Sequence, residues 1–329
     1  QNPGEIDIED LIEEEASVIA MTSLNYIKRT PLDTYKSQNR GGRGIIGMQT
    51  REEDAVTRLF VCSTHDYLLF FTNFGRVYRI KGYEVPEAGR TARGLAIVNL
   101  LSISQGETIT AVVPVRDFEK DDYLVMVTKS GVIKKTDMSA FANIRKTGIT
   151  AVNLREGDEL IAAFLTDGSK NIFAATRNGM GIMFDENDVR PMGRTATGVK
   201  AITLSDDDYV VSADFADKED KLLNVTENGY GKRTDAEAFN VQHRGGKGVK
   251  IHQITDKTGL LSGVIKVSDN EELMIVTSEG VIIRLRGKEI STFGRVSQGV
   301  KLINLDDGVT VAGIAKINEE DIMEEESKE

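Results

Sequence analysis

The sequence predicts an all-β domain, a propeller-like radial array of six four-stranded blades of about 50 residues each, either a closed ring or an open spiral. Three observations predict it. First, a Thr-x-x-Gly turn recurs between apolar runs: Thr72 with Gly75, Thr128 with Gly131, Thr176 with Gly179, Thr226 with Gly229 and Thr277 with Gly280. Thr22 with Asn25 is a sixth copy, and successive threonines stand 50, 56, 48, 50 and 51 residues apart. Second, a glycine follows each turn, at Gly44, Gly94, Gly148, Gly198, Gly248 and Gly299. It lies 19 residues beyond the turn in five copies and 17 beyond it in the third. Third, the body has no long segment with the 3.6-residue apolar period of a helix, which excludes a doubly wound fold.

Each element of the repeat has a local reason. Glycine and asparagine best tolerate positive φ, so a hairpin with one left-handed residue explains Asn25 in place of Gly. Leu68-Leu69-Phe70-Phe71 before one turn and Arg76-Val77-Tyr78-Arg79 after it read as strands one and two. A third strand is expected after each second glycine, for example over 199–204 and 300–305, and a fourth over 109–115 and 160–165. The units start near residues 17, 67, 122, 170, 220 and 271. One blade cannot bury both faces of its sheet, whereas six around an axis can. No Pro/Gly/Ser linker divides the repeats, which argues against two stacked three-blade domains. The expected organisation is an acidic leading segment at 1–16, the β domain at 17–317 and an acidic tail at 318–329.

Composition bounds the function. Hydrophobic residues are 40% and charged residues 28%, an ordinary globular balance. No run approaches 18 apolar residues, so no membrane span is expected. Cys62 is the one cysteine, beside three histidines, which excludes a disulfide framework and a Cys/His zinc cluster and suits the cytoplasm. No basic-then-apolar leader opens the chain, and its start at Gln1 leads us to expect a fragment of something longer. The net charge is −11, but residues 1–16 carry −7 and residues 318–329 carry −6. Removing that −13 from −11 leaves the body at +2, so local patches decide what it binds. The ends read as a linker and a solvated tail.

The richest motif is Gln38-Asn39-Arg40-Gly41-Gly42-Arg43-Gly44, with a near copy at Gln242-His243-Arg244-Gly245-Gly246-Lys247-Gly248. Both fall between strands two and three of their repeats. Three glycines let a ligand approach the backbone N–H groups, and two cations hold an anion there. A DNA backbone supplies a row of such anions. A plain Gly-rich turn is the competing reading, and the matched second copy argues against it.

Other motifs carry less. Gly42-x-Gly44-x-x-Gly47 matches a dinucleotide fingerprint, but it lies in an all-β repeat and not at the head of a βαβ unit. Lys247 is followed by Gly, so residues 245–248 are not a P-loop. His65, His243 and His252 stand in no catalytic spacing, His65-Asp66 reads as a turn pair, and Cys62 reads as core. No catalytic residue and no metal ligand is assigned. The absence of Trp argues against base stacking as the main mode of binding.

The six anchor loops together predict a basic rim: Arg40/Arg43, Arg90/Arg93, Arg145/Lys146, Arg194/Lys200, Arg244/Lys247 and Arg295/Lys301. Radial copies place these twelve cations at similar height, which suits a curved anionic polymer. Bending duplex DNA through a half-turn at a radius of roughly 35 Å costs about 13 kcal/mol. Each neutralised phosphate returns about 1.2 kcal/mol at ~0.1 M salt, so twelve contacts roughly balance the bend. The Gly-rich loops, with free N–H donors, are the expected stronger sites. The alternative from another class is a protein-interaction scaffold, which would more often expose aromatics on a blade-top face.

Residues 38–44 resemble the signature box of the DNA gyrase A family of C-terminal domains, usually Gln-Arg-Arg-Gly-Gly-Lys-Gly. They depart from it at Asn39 and Arg43, and residues 242–248 depart only at His243. The resemblance extends to Glu9-Asp10-Leu11-Ile12, Tyr26-Ile27-Lys28, Ser63-Thr64-His65-Asp66, Ile97-Val98-Asn99-Leu100, Gly229-Tyr230-Gly231-Lys232-Arg233 and the acidic tail. The related topoisomerase IV domains typically have a degraded or absent box, so the intact one points to the gyrase side. The resemblance implies a six-bladed β-pinwheel that wraps double-stranded DNA and is non-catalytic by itself. It implies membership in an A2B2 enzyme with the gyrase B subunit, driven by ATP and Mg2+ held elsewhere, to introduce negative supercoils. The isolated domain is expected to be monomeric.

Overall fold

Each Thr-x-x-Gly turn closes a hairpin, for the reason expected. Asn25 (φ 63°), Gly75, Gly131, Gly179, Gly229 and Gly280 all occupy the left-handed region. The threonine locks the turn, because its hydroxyl accepts the N–H four residues on at 3.1–3.4 Å in all six copies. The structure, a computed structural model, describes residues 7–35, 45–46, 56–118 and 121–327.

The hairpins build six four-stranded antiparallel sheets. In the third, Tyr123–Thr128 lies between Val132–Asp137 and Leu160–Thr166, and the edge beyond Val132–Asp137 is taken by Val199–Lys200 of the fourth repeat. The same exchange occurs in every sheet: three strands come from one repeat and the fourth from the next. Ile45–Ile46 of the first repeat pairs with Val281–Arg286 of the sixth, so the ring is closed. The expected third strands over 199–204 and 300–305 are therefore corrected in length and in ownership. They are two residues long, and they complete the preceding blade.

The second anchor glycine makes the crossing possible. A Cβ at Gly248 would stand 2.2 Å from the Gly181 carbonyl oxygen, and one at Gly299 would stand 2.3 Å from that of Gly231. Both glycines also have positive φ. Once across, the chain caps the hairpin turn of the preceding blade. Ala201, Ile251 and Leu302 N–H donate to the Gly131, Gly179 and Gly229 carbonyls at 2.7–2.8 Å.

The core is distributed over the seams. Along Tyr123–Thr128, Leu124 and Met126 face blade two with Leu69 and Phe71, while Val125 and Val127 face blade four with Ile172 and Ala174. Six such clusters fill the six seams. The seam between blades six and one joins Met274, Val276 and Ile282 to Val18, Ala20 and Tyr35, so closure is apolar as well as hydrogen-bonded. The fourth strand of each repeat touches those of both neighbours, which places these strands around the axis. The exchanged strands then form the outer edge.

Both acidic ends differ from the expected linker and solvated tail. Over residues 7–16, Thr64 Oγ1 donates to the Glu13 carbonyl at 2.7 Å and Lys81 pairs with Glu9 at 3.2 Å. At the other end Glu319–Glu326 is an α-helix, capped by the Asn318 side chain on the Asp321 N–H. Its Ile322 packs on the seam between blades six and one, and its Glu325 grips Arg284. Asp66 takes the Ser63 N–H at 2.8 Å, a turn role as expected. Cys62 is buried, and desolvation pushes its thiol well above the usual range.

Candidate nucleic-acid interface

The predicted cations that fall in described residues lie on the anchor loops and exchanged strands of the outer edge. Lys200 and Lys301 are exposed at the second position of exchanged strands. Lys250 holds the equivalent place in Val249–Lys250, and the sequence reading missed it. The signal was available, since a Val-Lys pair follows the anchor glycine in each of the last three repeats. Arg90, Arg145, Lys146 and Lys247 are exposed. Arg93 is half-buried, with its guanidinium 5.5 Å from the Tyr26 ring centroid. Gln38, Asn39, Arg40, Gly41, Gly42, Arg43 and Gly44 lie outside the described residues.

Three rim arginines are stitched to the fold. Arg194, Arg244 and Arg295 each donate an Nη1 hydrogen to a carbonyl of the preceding exchanged strand: Thr150 at 2.7 Å, Lys200 at 3.0 Å and Lys250 at 3.0 Å. This aligns each side chain along the edge; Arg244 also donates its Nε hydrogen to the Asp188 carbonyl at 3.0 Å, which fixes its fork further.

The second Gly-rich loop follows Tyr230–Asp235 and precedes Val249–Lys250, where the sequence placed it. Its N–H groups are not all free, which corrects an expectation. Gln242 N–H donates to the Met183 carbonyl at 2.9 Å, Arg244 N–H to Asp188 Oδ2 at 3.2 Å and Gly245 N–H to the Ala201 carbonyl at 2.7 Å. Thr203 holds the other side, its hydroxyl donating to the Gly245 carbonyl at 2.6 Å. The glycines divide in role. Gly248 serves the strand crossing. Gly245 has φ +91° and open space where a Cβ would stand, its nearest neighbour being the Lys200 carbonyl at 3.9 Å. His243, which departs from the usual box, is exposed beside Asp188 at 3.4 Å.

Lys28, Lys134 and Lys232 are buried at 0–1% exposure, and the sequence reading gave them no role. The Lys28 ammonium donates to the Gly89, Arg90 and Ala92 carbonyls. Lys134 donates to those of Ala151, Gly193 and Arg194. Lys232 donates to those of Gly294, Arg295 and Ser297 at 2.6–2.8 Å. Each contacted turn belongs to the next repeat and carries a predicted rim arginine. Burial pulls each ammonium down to about 8, with Arg194 and Arg295 adding repulsion at Lys134 and Lys232. The carbonyl contacts favour the charged form. Blades two, four and six carry Tyr78, Ile182 and Ile283 at the same place, so the device alternates around the ring.

The DNA gyrase C-terminal domain, beta-propeller, family model matches six segments: 16–63, 66–116, 122–167, 170–217, 220–268 and 271–318. These segments coincide with the six repeats. The chain belongs to the DNA gyrase A C-terminal domain family. It is 58% identical over 323 residues to the DNA gyrase A protein of Halalkalibacterium halodurans, covering 98% of this chain and 39% of that protein. It is 48% identical over 326 residues to the gyrase A protein of Clostridium acetobutylicum, covering 99% of this chain and 39% of that protein. The chain thus spans about two fifths of the length of these curated relatives. Among solved structures, a DNA gyrase A C-terminal domain superposes with a TM-score of 0.85 at 26% identity, covering 92% of this chain and all of that one. A topoisomerase IV C-terminal domain superposes with a TM-score of 0.71 at 27% identity, covering 96% of this chain and 98% of that one. The beta-propeller family model and the superposition on the gyrase A domain agree with the six-bladed fold.

Proposed function

We propose that this gyrase-family domain binds double-stranded DNA and bends it around its outer edge. The observation that carries the reading is the repeated placement of Arg and Lys on the anchor loops and exchanged strands of successive blades. A closed ring turns a 50-residue sequence period into a circular row of charge, which is complementary to a curved polyanion. The stitched arginines support this, because cations held against the backbone lose less freedom on binding than free ones. Few rim side chains suit base edges, so binding is electrostatic and nearly blind to sequence.

The wider reading is that the domain serves a type II topoisomerase. In that enzyme it presents a wrapped segment so that strand passage, driven by ATP with Mg2+ in other parts, introduces negative supercoils. The partners are then the remainder of the gyrase A polypeptide and the gyrase B subunit in an A2B2 assembly in the cytoplasm. The two Gly-rich loops and the identity to gyrase A proteins favour gyrase over topoisomerase IV.

The test is DNA affinity against salt, using duplexes of unrelated sequence. A steep linear fall of log affinity with log salt, the same for each duplex, is expected. A flat response, or strong preference for one short site, overturns the wrapping reading.

A further inference from the structure

We propose that turns 89–92, 193–196 and 294–297 are preformed phosphate seats, and that Lys28, Lys134 and Lys232 are the positioning residues that hold them open. This deepens the wrapping reading and rests on it. In a trans peptide the C=O and the following N–H point in opposite directions. The Lys28 ammonium draws the Gly89 and Arg90 carbonyls inward. The N–H groups of Arg90 and Thr91, in the same two peptide units, are thereby turned outward. Lys134 does the same through Gly193 and Arg194, turning out the N–H groups of Arg194 and Thr195. Lys232 does it through Gly294 and Arg295, turning out those of Arg295 and Val296.

The three turns share their closure. Ala92, Ala196 and Ser297 N–H donate back to the Gly89, Gly193 and Gly294 carbonyls at 3.1, 3.1 and 3.2 Å. Gly89, Thr91, Gly193, Thr195, Gly294 and Val296 are exposed, so the outward face is open to a ligand. Each seat thus offers two consecutive N–H donors with an arginine at the first of them. That is the donor set of a concavity for a tetrahedral anion. In two of the three the arginine is itself stitched to the neighbouring exchanged strand.

The placement suits DNA. At a wrap radius of roughly 35 Å, one sixth of a circle is about 37 Å of path, close to one helical turn of about 34–36 Å. Successive blades then meet the same face of the duplex. The lysine-held seats recur at every second blade, about two helical turns apart. The second Gly-rich loop belongs to repeat five, between the seats of repeats four and six, and the blade before it carries Ile182. Between the seats of repeats four and six the rim instead carries a glycine loop held by Asp188, Ala201 and Thr203.

The test is a double-mutant cycle on the 329-residue chain, with Lys134→Ile, Arg194→Ala and the pair. Isoleucine is native at the equivalent place in blades four and six, so the variant keeps a side chain the fold accepts there. Lys134 is 1% exposed and touches no phosphate itself. Loss of its seat is expected to lower affinity about 8-fold at ~0.1 M salt and to reduce the salt slope by about 0.9, the value of one phosphate contact. Arg194→Ala is expected to do the same, and the pair no more than either alone. A lysine acting only as a distant charge gives additive losses, about 64-fold for the pair, and overturns the proposal. A lysine serving only the fold lowers the unfolding temperature but leaves the slope of the folded protein unchanged, which also overturns it.

If Lys134→Ile fails to fold, Arg194→Pro against Arg194→Ala reads the N–H directly. Proline suits the first central position of a turn but removes that donor. Equal affinities of these two variants refute the seat. A steep salt response of the unaltered chain with no effect of Lys134→Ile sinks only the seats, whereas a flat response of the unaltered chain sinks the wrapping reading itself.

Discussion

Gly248→Ala and Gly245→Ala change neighbouring glycines of one box, yet the structure assigns them different penalties. Alanine in the left-handed region costs roughly 1–2 kcal/mol at either site. At Gly248 the new Cβ also meets the Gly181 carbonyl oxygen at 2.2 Å. Relief requires the exchanged strand Val249–Lys250 to withdraw from Met180 and Gly181. Two backbone hydrogen bonds at about 1 kcal/mol each are then lost, for a total of about 3–4 kcal/mol. At Gly245 nothing is closer than 3.9 Å, so only the conformational penalty remains. For a domain of this size the unfolding midpoint is expected to fall by about 5 °C in Gly248→Ala and about 2 °C in Gly245→Ala. Thermal unfolding followed by far-UV circular dichroism measures both. Equal shifts, or none in Gly248→Ala, would refute the assignment of the second anchor to strand crossing.

Replacing residues 38–44 by alanines removes two of twelve rim cations, about 2.4 kcal/mol of binding, and is expected to abolish the bend while leaving residual affinity. End-to-end distance in a doubly labelled duplex reports it, and an intact bend reduces the box to a turn. Deleting residues 318–329 removes −6 of charge and the Glu325 grip on Arg284, which also binds the Tyr35 carbonyl next to the first box. Tighter DNA binding is expected, most at low salt, and equal affinities at two salt levels contradict it. His252 is held down to about 4, chiefly by burial and then by the Lys232 charge. The unfolded chain therefore binds the extra proton between about pH 6.5 and 4, so stability falls by about 2–3 kcal/mol as pH drops through that window. His252→Asn is expected to flatten this part of the curve in urea unfolding at several pH values, and an unchanged curve rules His252 out.

The repeat was legible because its punctuation is steric. A left-handed residue at Asn25 or Gly75 and a crossing at Gly248 each demand a residue type, and that demand recurs with the period. Ownership of the third strand was not legible, because a 50-residue period reads the same whether Val199–Lys200 completes its own blade or its neighbour's. The rim arginines were visible as charges in register, but their stitching to Thr150, Lys200 and Lys250 carbonyls depends on that exchange. Lys28, Lys134 and Lys232 were missed because a lysine within a strand reads as an exposed position. Their mark is Lys, then Arg or Lys, then Thr, in every second repeat, a period of about 100 residues that a 50-residue comparison averages away. The tail read as solvated because seven acids dominate it, while one apolar contact through Ile322 and one ion pair decide where it lies.

The alternation of lysine with Tyr or Ile gives the ring a parity. Excising repeats three and four together joins blade two to repeat five, and Lys28 and Lys232 still face the turns they fasten. Excising repeat three alone sets Tyr78 against the Gly193-Arg194 turn, which then has no ammonium to collect its carbonyls. Excising repeat two alone points Lys28 at residues 142–146, which lack the Gly-Arg turn. Shortening or lengthening such a domain by pairs of repeats preserves every fastening, whereas an odd step breaks at least one. The indivisible building block is thus the couple of blades, and an engineered four- or eight-bladed ring is the form in which this architecture can be resized.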